Sequence, residues 1–457
     1  MSSSSPSLST PDDPALASSM PAQRGPLPLL RRLHFYAGVL VAPFILIAAV
    51  TGALYAVAPT VERFVYGDIL SVTPAGDALP LTAQAEAAGA AVPDLQMSGV
   101  RPAADPHAAT RVMFTDPDLG EEFARAVFVD PYSGRVLGQE PTWFGYLPVS
   151  TWLDGLHRHL QLGEPGRVYS ELAASWLWVV ALGGAVLWWA RRRRSRLLLP
   201  DRSTTGRLRT LNWHAVVGLW ILPMLLFLSA TGITWSTYAG EWVSDLRAHF
   251  AWERPQLDTA AVGGHDDHGA SSGHRGDGPV DLDAVVRAAN GVGVDAPLEL
   301  TLPATPGDSV GVTEIDEPYR LTTDAAAVDP ATLQVTSVVD YARDYSTIAK
   351  LADWGIRMHM GFLFGWLNQL LLFGIAVALV TVIVRGYRMW WQRRPTRGTQ
   401  WAVGRPPVRG FLRRQHPAVL GALTVGAVAV GVVLPLLGIS LAAFLVLDAI
   451  VGRVRAG

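Results

Sequence analysis

The stretch that decides the fold begins with His34-Phe-Tyr-Ala-Gly38 and continues through Pro43 to Thr51-Gly52. A second copy lies 180 residues further along without a gap, and it consists of His214-Ala-Val-Val-Gly218, Pro223 and Thr231-Gly232. Both copies fall in apolar stretches that are long enough to cross a membrane. A repeat of this length indicates that the chain is built from two similar halves.

A second repeat has an offset of 202 residues. It pairs His157 with His359, Gly163 with Gly365, and Trp188-Trp189 with Trp390-Trp391. The segments between the apolar stretches repeat as well, since Asp130-Pro131 matches Asp329-Pro330. Each half is therefore predicted to be helix, outside domain, helix, and an even number of spans per half makes the two halves parallel.

Apolar length predicts the membrane spans. We expect spans at 29–58, 171–190, 213–236 and 360–384, after a disordered cytoplasmic tail at 1–28. The last apolar region, 417–451, is too long for one span of about 20 residues and is interrupted by Leu434-Pro435, which favours a hairpin of two short helices. The sequence thus predicts an α-helical integral membrane protein with about six transmembrane helices, five being the alternative.

Charge predicts the orientation of these helices. The two long segments, 59–171 and 237–357, carry 35 of the 39 acidic residues, whereas 385–414 holds nine arginines and no acid. Arginine-rich short loops stay on the cytoplasmic side. We therefore expect a multi-pass protein of the bacterial cytoplasmic membrane with a cytoplasmic N-terminus and both acidic segments outside. The lipid bilayer is an expected partner, and nucleic acid is not.

Each outside segment is predicted to form a short helix followed by strands. Residues 281–289 have helical spacing behind an N-terminal acid. The stretches 126–130, 131–134 and 135–137 predict strand, turn and strand, because turn residues separate β-forming ones. Residues 325–338 repeat that hairpin in the second half.

Four of the eleven histidines lie at repeated helix ends. His34 and His214 are expected at the cytoplasmic starts of the first and third spans, and His157 and His359 at the outer starts of the second and fourth. A haem iron takes two axial ligands from opposite sides, and neutral imidazoles on neighbouring helices supply them. This pattern predicts one haem site at each membrane face. Nearby glycines would let a flat macrocycle approach the backbone: Gly38, Gly218, Gly163 and Gly365.

Other interpretations of these residues stay open. A single histidine beside arginines at a helix start is most often an interfacial anchor. His159 competes with His157, because the 202-residue register favours His157 whereas alignment of Gly155 with Gly355 favours His159. The Thr-Gly pairs at 51–52 and 231–232 are predicted to serve close helix packing.

A second cluster is His265-Asp-Asp-His268, with His274, in the glycine-rich stretch 263–278. Imidazoles and carboxylates at this spacing can bind a divalent metal. A solvated linker is the more common role of such a tract.

Several function classes are excluded by what the sequence does not contain. The chain has no cysteine, which excludes disulfides, iron–sulfur clusters and covalently attached haem. It also contains no G-x-G-x-x-G after a strand, no Walker A loop and no H-E-x-x-H. Nicotinamide binding, nucleotide binding and metalloprotease chemistry therefore have no support.

The combined pattern resembles the PepSY-associated transmembrane-helix family. The resemblance covers about residues 28–395 and rests on H-x3-G with Thr-Gly, Val-Asp-Pro-Tyr-Ser-Gly at 129–134, Leu156-His157-Arg-x-Leu160, and Trp-Trp-Ala-Arg. It implies small α+β PepSY domains at about 68–140 and 280–340. It also implies two b-type haems, held by His34 with His214 and by His157 with His359.

Members of that family are described as iron-regulated membrane proteins, and some resemble dihaem reductases that release iron from ferric siderophores. The resemblance therefore implies a membrane oxidoreductase that takes electrons from an unidentified cytoplasmic donor. Its acceptor outside would be a ferric siderophore or another metal chelate. The alternative is a non-enzymatic PepSY protein that binds or regulates a partner, such as a protease or a metal.

Overall fold

The computed structural model describes residues 27–191, 198–260, 280–393 and 417–454. The expected metal ligands His265, His268 and His274 lie outside these ranges, as does the tail as far as residue 26. The helices are α1 (Leu27–Leu40), α2 (Ala42–Ala56), α3 (Ala58–Val65), α4 (Gly67–Leu70), α5 (Leu81–Ala91), α6 (Pro148–His159), α7 (Glu164–Arg191), α8 (Gly206–Ile233), α9 (Tyr238–His249), α10 (Leu282–Asn290), α11 (Tyr341–Asp344), α12 (Thr347–Met360), α13 (Gly365–Trp391), α14 (Pro417–Val433) and α15 (Pro435–Val454). The strands are β1 (Gln96–Arg101), β2 (Thr110–Thr115), β3 (Phe123–Val129), β4 (Val136–Trp143), β5 (Leu298–Thr301), β6 (Val310–Glu314), β7 (Ala325–Val328) and β8 (Val335–Val339).

Three helices, α7, α8 and α13, are each long and apolar enough to cross a membrane. Helices α1 and α2 meet that criterion together but are bent by 57° at Val41, so the described residues offer three spans, or four if the bent pair is one. Pro43 starts α2 just after this bend. Its counterpart Pro223 lies inside the continuous helix α8. The same repeated residue is thus accommodated in two different ways.

The C-terminal apolar region turns back on itself at Leu434, and α14 packs against α15. The turn is tight, because a Cβ on Gly438 would lie 2.6 Å from the Cα of Gly431. Helix α15 is fixed to the bundle by a hydrogen bond of 2.8 Å from Trp176 Nε1 on α7 to Ser440 Oγ. The apolar stretches of α14 and α15 are shorter than those of α7, α8 and α13.

The two segments predicted to be separate outside domains share one sheet of eight strands. Its order is β4-β3-β2-β1-β5-β6-β7-β8, and every neighbouring pair is antiparallel. The halves join where Gly99 and Val100 of β1 pair with Thr301 and Leu300 of β5. A Cβ on Gly99 would lie 2.8 Å from the Leu300 carbonyl oxygen, so this junction requires glycine.

Helices α5 and α10 cover one face of the sheet. Val100, Val112 and Leu300 are fully buried beneath them, and alternate strand residues supply the rest of this core. The two helices are also tied to each other. The Asp283 carboxylate of α10 accepts hydrogen bonds from the backbone N–H groups of Leu81 and Thr82, which caps α5.

Candidate functional site

The structure brings the four repeated histidines together as two pairs. His34 on α1 and His214 on α8, called here the distal pair, have ring centres 6.3 Å apart. His157 on α6 and His359 on α12, called here the sheet-side pair, have ring centres 6.4 Å apart. Each pair takes one histidine from each half of the chain.

In each of the four imidazoles the Nδ1 atom is hydrogen-bonded, and the partners in the two halves of the chain lie at repeat-related positions. In the distal pair, His34 Nδ1 lies 3.0 Å from the Val180 carbonyl oxygen and His214 Nδ1 lies 2.9 Å from that of Val382. A carbonyl oxygen only accepts, so Nδ1 carries the proton in both rings. The two carbonyls are themselves related by the 202-residue offset.

In the sheet-side pair the acceptors are hydroxyl groups. Thr51 Oγ1 lies 3.1 Å from His157 Nδ1, and Thr231 Oγ1 lies 2.6 Å from His359 Nδ1. Both hydroxyls already donate to a backbone carbonyl one turn earlier, at Ile47 and Phe227. With those bonds in place the imidazole is the donor to the hydroxyl, and the proton is then on Nδ1.

The consequence for chemistry is the same in all four rings. A neutral imidazole protonated on Nδ1 has a lone pair on Nε2, and none of the four Nε2 atoms has a hydrogen-bond partner in the described part of the chain. Metal-bound histidines characteristically donate the other ring N–H in this way, which fixes the ring and raises its basicity. Each pair therefore has two Nε2 lone pairs that no hydrogen bond within the described residues occupies.

Glycines allow the imidazole rings to lie close to the backbone of the neighbouring helices. A Cβ on Gly52 would lie 3.0 Å from His157 Cε1, and one on Gly184 would lie 3.0 Å from His34 Cε1. The Thr-Gly pairs, which the sequence predicts to serve helix packing, lie against the imidazoles. The threonine hydroxyl accepts a hydrogen bond from the ring, and the glycine leaves room for it. The predicted glycines Gly38, Gly218 and Gly163 meet nothing within 4 Å, and Gly365 faces Pro318.

The sheet-side pair lines a cavity between the two halves. Its wall is built from positions that the two repeats relate: Ile45 and Leu225, Ala48 and Leu228, Ala49 and Ser229, Gly52 and Gly232, Tyr55 and Trp235, Ala173 and Ile375, Ala174 and Ala376, Leu177 and Leu379. The empty space, with its open mouth included, is about 1320 Å³. The cavity therefore has an approximate twofold symmetry, a largely apolar wall and two imidazoles opposite each other.

Helix α12 is fastened to the sheet domain directly beside His359. The buried Arg357 forms an ion pair of 3.1 Å with Asp316 and donates a hydrogen bond to the Arg320 carbonyl. Trp354 Nε1 donates to the Leu321 carbonyl at 2.8 Å. Burial raises the pKa of Asp316, and the adjacent Arg357 opposes that rise. These contacts fix the position of His359 relative to the loop that follows β6.

The other histidines that the sequence offers as ligands do not belong to either pair. His159 ends α6 and is not opposite His359, and its Nδ1 atom is buried without a hydrogen-bond partner. The expected cluster His265, His268 and His274 lies outside the described residues, and within them no group of three or more histidine, aspartate or glutamate side chains could hold a metal ion.

Comparison with known proteins identifies the family. The PepSY-associated TM region family matches residues 31–393, which is most of the chain, so this protein belongs to that family and is a membrane protein. It is also similar to Uncharacterized protein PA4219 of Pseudomonas aeruginosa, with 36% identity over 86 residues. That match covers 19% of this chain and 21% of the relative.

The glycine contacts generate a test with built-in controls. Alanine at any of these helical positions gains up to about 1 kcal/mol of helix propensity over glycine. In Gly52→Ala and Gly184→Ala the new methyl group presses on an imidazole at 3.0 Å, whereas in Gly232→Ala and Gly386→Ala the ring atoms are 3.7 and 3.6 Å away. We expect thermal unfolding in detergent to show that each first-half variant is less stable than its second-half counterpart. Equal melting temperatures within each pair would contradict this packing.

Proposed function

We propose that this protein is a dihaem membrane oxidoreductase, which carries electrons from a cytoplasmic donor across the bacterial cytoplasmic membrane to an acceptor outside. The observation that carries the proposal is the geometry of the histidines. Both pairs come from opposite halves of the chain, and all four imidazoles have Nδ1 bonded and Nε2 unbonded.

The spacing of the rings fits a metal ion held from both sides. Two imidazoles with metal–nitrogen distances of about 2.0–2.1 Å on opposite sides of one ion have ring centres about 6 Å apart. The observed separations are 6.3 and 6.4 Å. A hydrogen bond between the two rings of a pair would require Nε2 of one ring to carry a proton.

The cavity fits the macrocycle that surrounds such an ion in haem. Haem is flat, largely apolar and close to twofold symmetric, and the wall at the sheet-side pair is apolar and built from repeat-related positions. Bound haem would supply one-electron chemistry, while the chain's own residues orient the imidazoles and exclude water.

Two sites are needed because of the distance between the pairs. On α8, His214 and the Thr231 that bonds His359 are 17 residues apart, which corresponds to about 26 Å of helix. That length is close to the hydrocarbon thickness of a bilayer. A single site at either pair could not serve both membrane faces.

The orientation follows from charge. The sheet of the two proposed PepSY domains is built from the acidic segments, and arginines dominate the loops at the other ends of the helices. The proposal therefore has six spans, with the sheet and the sheet-side pair outside and both chain ends in the cytoplasm. The hairpin of α14 and α15 supplies the last two spans.

Reporter fusions test this arrangement. A reporter placed in the exposed turn at Glu121 should be active outside, and reporters at either chain end should be active inside, because six spans return the chain to its starting side. A C-terminal reporter active only outside would contradict the hairpin and leave five spans.

Spectroscopy of the purified protein tests the cofactor. We expect about two b-type haems per chain with low-spin spectra, because both axial positions are imidazole. His34→Ala and His214→Ala should each lose the same haem, and His157→Ala and His359→Ala the other. His159→Ala is the matched control and should retain both. Haem content that falls further in the double variant of one pair than in its single variants would contradict the pairing, and protein without haem would favour a binding or regulatory role.

The proposed acceptor is a ferric siderophore or another metal chelate. The support is the family together with the position of the sheet domain beside the sheet-side pair. The two segments that form this domain hold 35 acidic against 15 basic residues. A negative surface slows the approach of anionic chelates and favours neutral or cationic ones.

Stopped-flow reoxidation tests the acceptor. The chemically reduced protein is mixed with ferric siderophores, and oxidation is followed in the visible spectrum. We expect neutral and cationic chelates to react faster than anionic ones at low salt, with the difference shrinking as salt is added. His157→Ala and His359→Ala should abolish the reaction, whereas deletion of 263–278 should leave it nearly unchanged. Undiminished reoxidation in those two variants would contradict the mechanism.

A further inference from the structure

The charged residues of the sheet-side cavity break its symmetry. Asp154, Arg158, Arg167 and Glu171 line the wall, and all four come from the first half of the chain. At the repeat-related positions the second half carries Ile356, Met360, Gln369 and Phe373. The apolar part of the wall is thus built from repeat-related positions, whereas its charged residues come from one half only.

The two acids on this wall have structural partners. Both oxygens of the buried Glu171 accept backbone N–H groups at the start of α9, from Tyr238 at 2.9 Å and Ala239 at 3.1 Å. Asp154 lies 3.4 Å from Arg158 Nε. Burial raises the pKa of the Asp154 carboxyl, and Arg158 opposes that rise.

The two arginines have most of their donors unused. Arg158 makes no hydrogen bond in the described part of the chain, and its ion pair with Asp154, at 3.4 Å, involves only Nε. Its guanidinium is held over the ring of Trp143 at 5.1 Å. Arg167 donates Nε to Thr237 at 3.0 Å, and its ion pair with the exposed Glu164 is long, at 3.8 Å.

The chemistry that matches two such guanidinium groups is a pair of carboxylates on one edge of a flat apolar ligand. A guanidinium fork binds a carboxylate through two parallel hydrogen bonds. We propose that Arg158 and Arg167 bind the two propionate groups of the haem at the sheet-side pair and thereby fix which way its carboxylate edge faces. This inference rests on the proposed function, since it concerns the same cavity.

The symmetry of the wall explains why such a device is needed. The apolar positions contributed by the two halves are so similar that they favour neither direction of the macrocycle strongly. Two cations on one side favour one direction, and a haem turned the other way would place its carboxylates on the side of the wall that carries no cation. Hydrogen bonds to charged groups are strong enough that losing them should weaken binding about tenfold or more.

Reconstitution with a modified haem tests the proposal. Apoprotein from cells unable to make haem is titrated with haem and with its dimethyl ester, in which both carboxylates are blocked, and binding is followed in the visible spectrum. We expect the sheet-side site of the wild-type protein to bind the ester at least about tenfold more weakly than haem. In Arg158→Met with Arg167→Gln, which copies the residues of the second half, the two ligands should bind alike.

Arg63→Met, at an exposed position on α3, is the matched control and should keep the preference for haem. Equal binding of haem and ester by the wild-type protein would overturn the inference while leaving the proposed function intact. This comparison uses only the wild-type protein, so it does not depend on whether a variant folds. Retention of the full preference in the double variant would also overturn it. A wild-type protein that binds neither ligand would overturn both proposals.

Discussion

The structure depends on one recurring interaction, the hydrogen bond that each of four half-buried imidazoles donates from Nδ1. It fixes the ring, chooses its tautomer and leaves the Nε2 lone pair directed away from the acceptor. Two carbonyls perform this task in the distal pair and two threonine hydroxyls in the sheet-side pair. The helices that carry the acceptors must therefore be placed accurately against the helices that carry the histidines, and this requirement explains much of the packing of the bundle.

The internal repeat meets that requirement economically. Each half supplies one histidine and one acceptor to each pair, so a single helix arrangement, used twice, builds both sites. The acceptor of the ring from one half also comes from that half, as with Thr51 and His157, or Thr231 and His359. The two halves then meet at the imidazole pairs and again in the sheet, where β1 pairs with β5. The sheet junction and the imidazole pairs thus constrain the same relative position of the halves.

Much of the helical framework could be predicted from the sequence, because apolar length and the two repeat offsets are local or periodic signals. The offsets alone matched His34 with His214 and His157 with His359, the partners that the structure brings together. The joining of the two acidic segments into one sheet could not be predicted, since it rests on a backbone contact between Gly99 and Leu300, which are about 200 residues apart. The function of Thr51 was missed for a similar reason, because its partner His157 lies on a different helix. The gapless repeat of Thr-Gly is the one signal for this role in the sequence, and the same pattern is also typical of close helix packing.

The two sets of acceptors differ in how they choose the tautomer of a ring. The carbonyl oxygens of Val180 and Val382 only accept, so each holds the proton on Nδ1 of its imidazole by itself. The hydroxyls of Thr51 and Thr231 can donate as well as accept, and each accepts from its imidazole while it donates to a carbonyl of its own helix, at Ile47 or Phe227. The tautomer of the sheet-side rings therefore depends on two consecutive hydrogen bonds, whereas that of the distal rings depends on one. This dependence gives a physical reason for the repeat of threonine together with histidine in both halves of the chain.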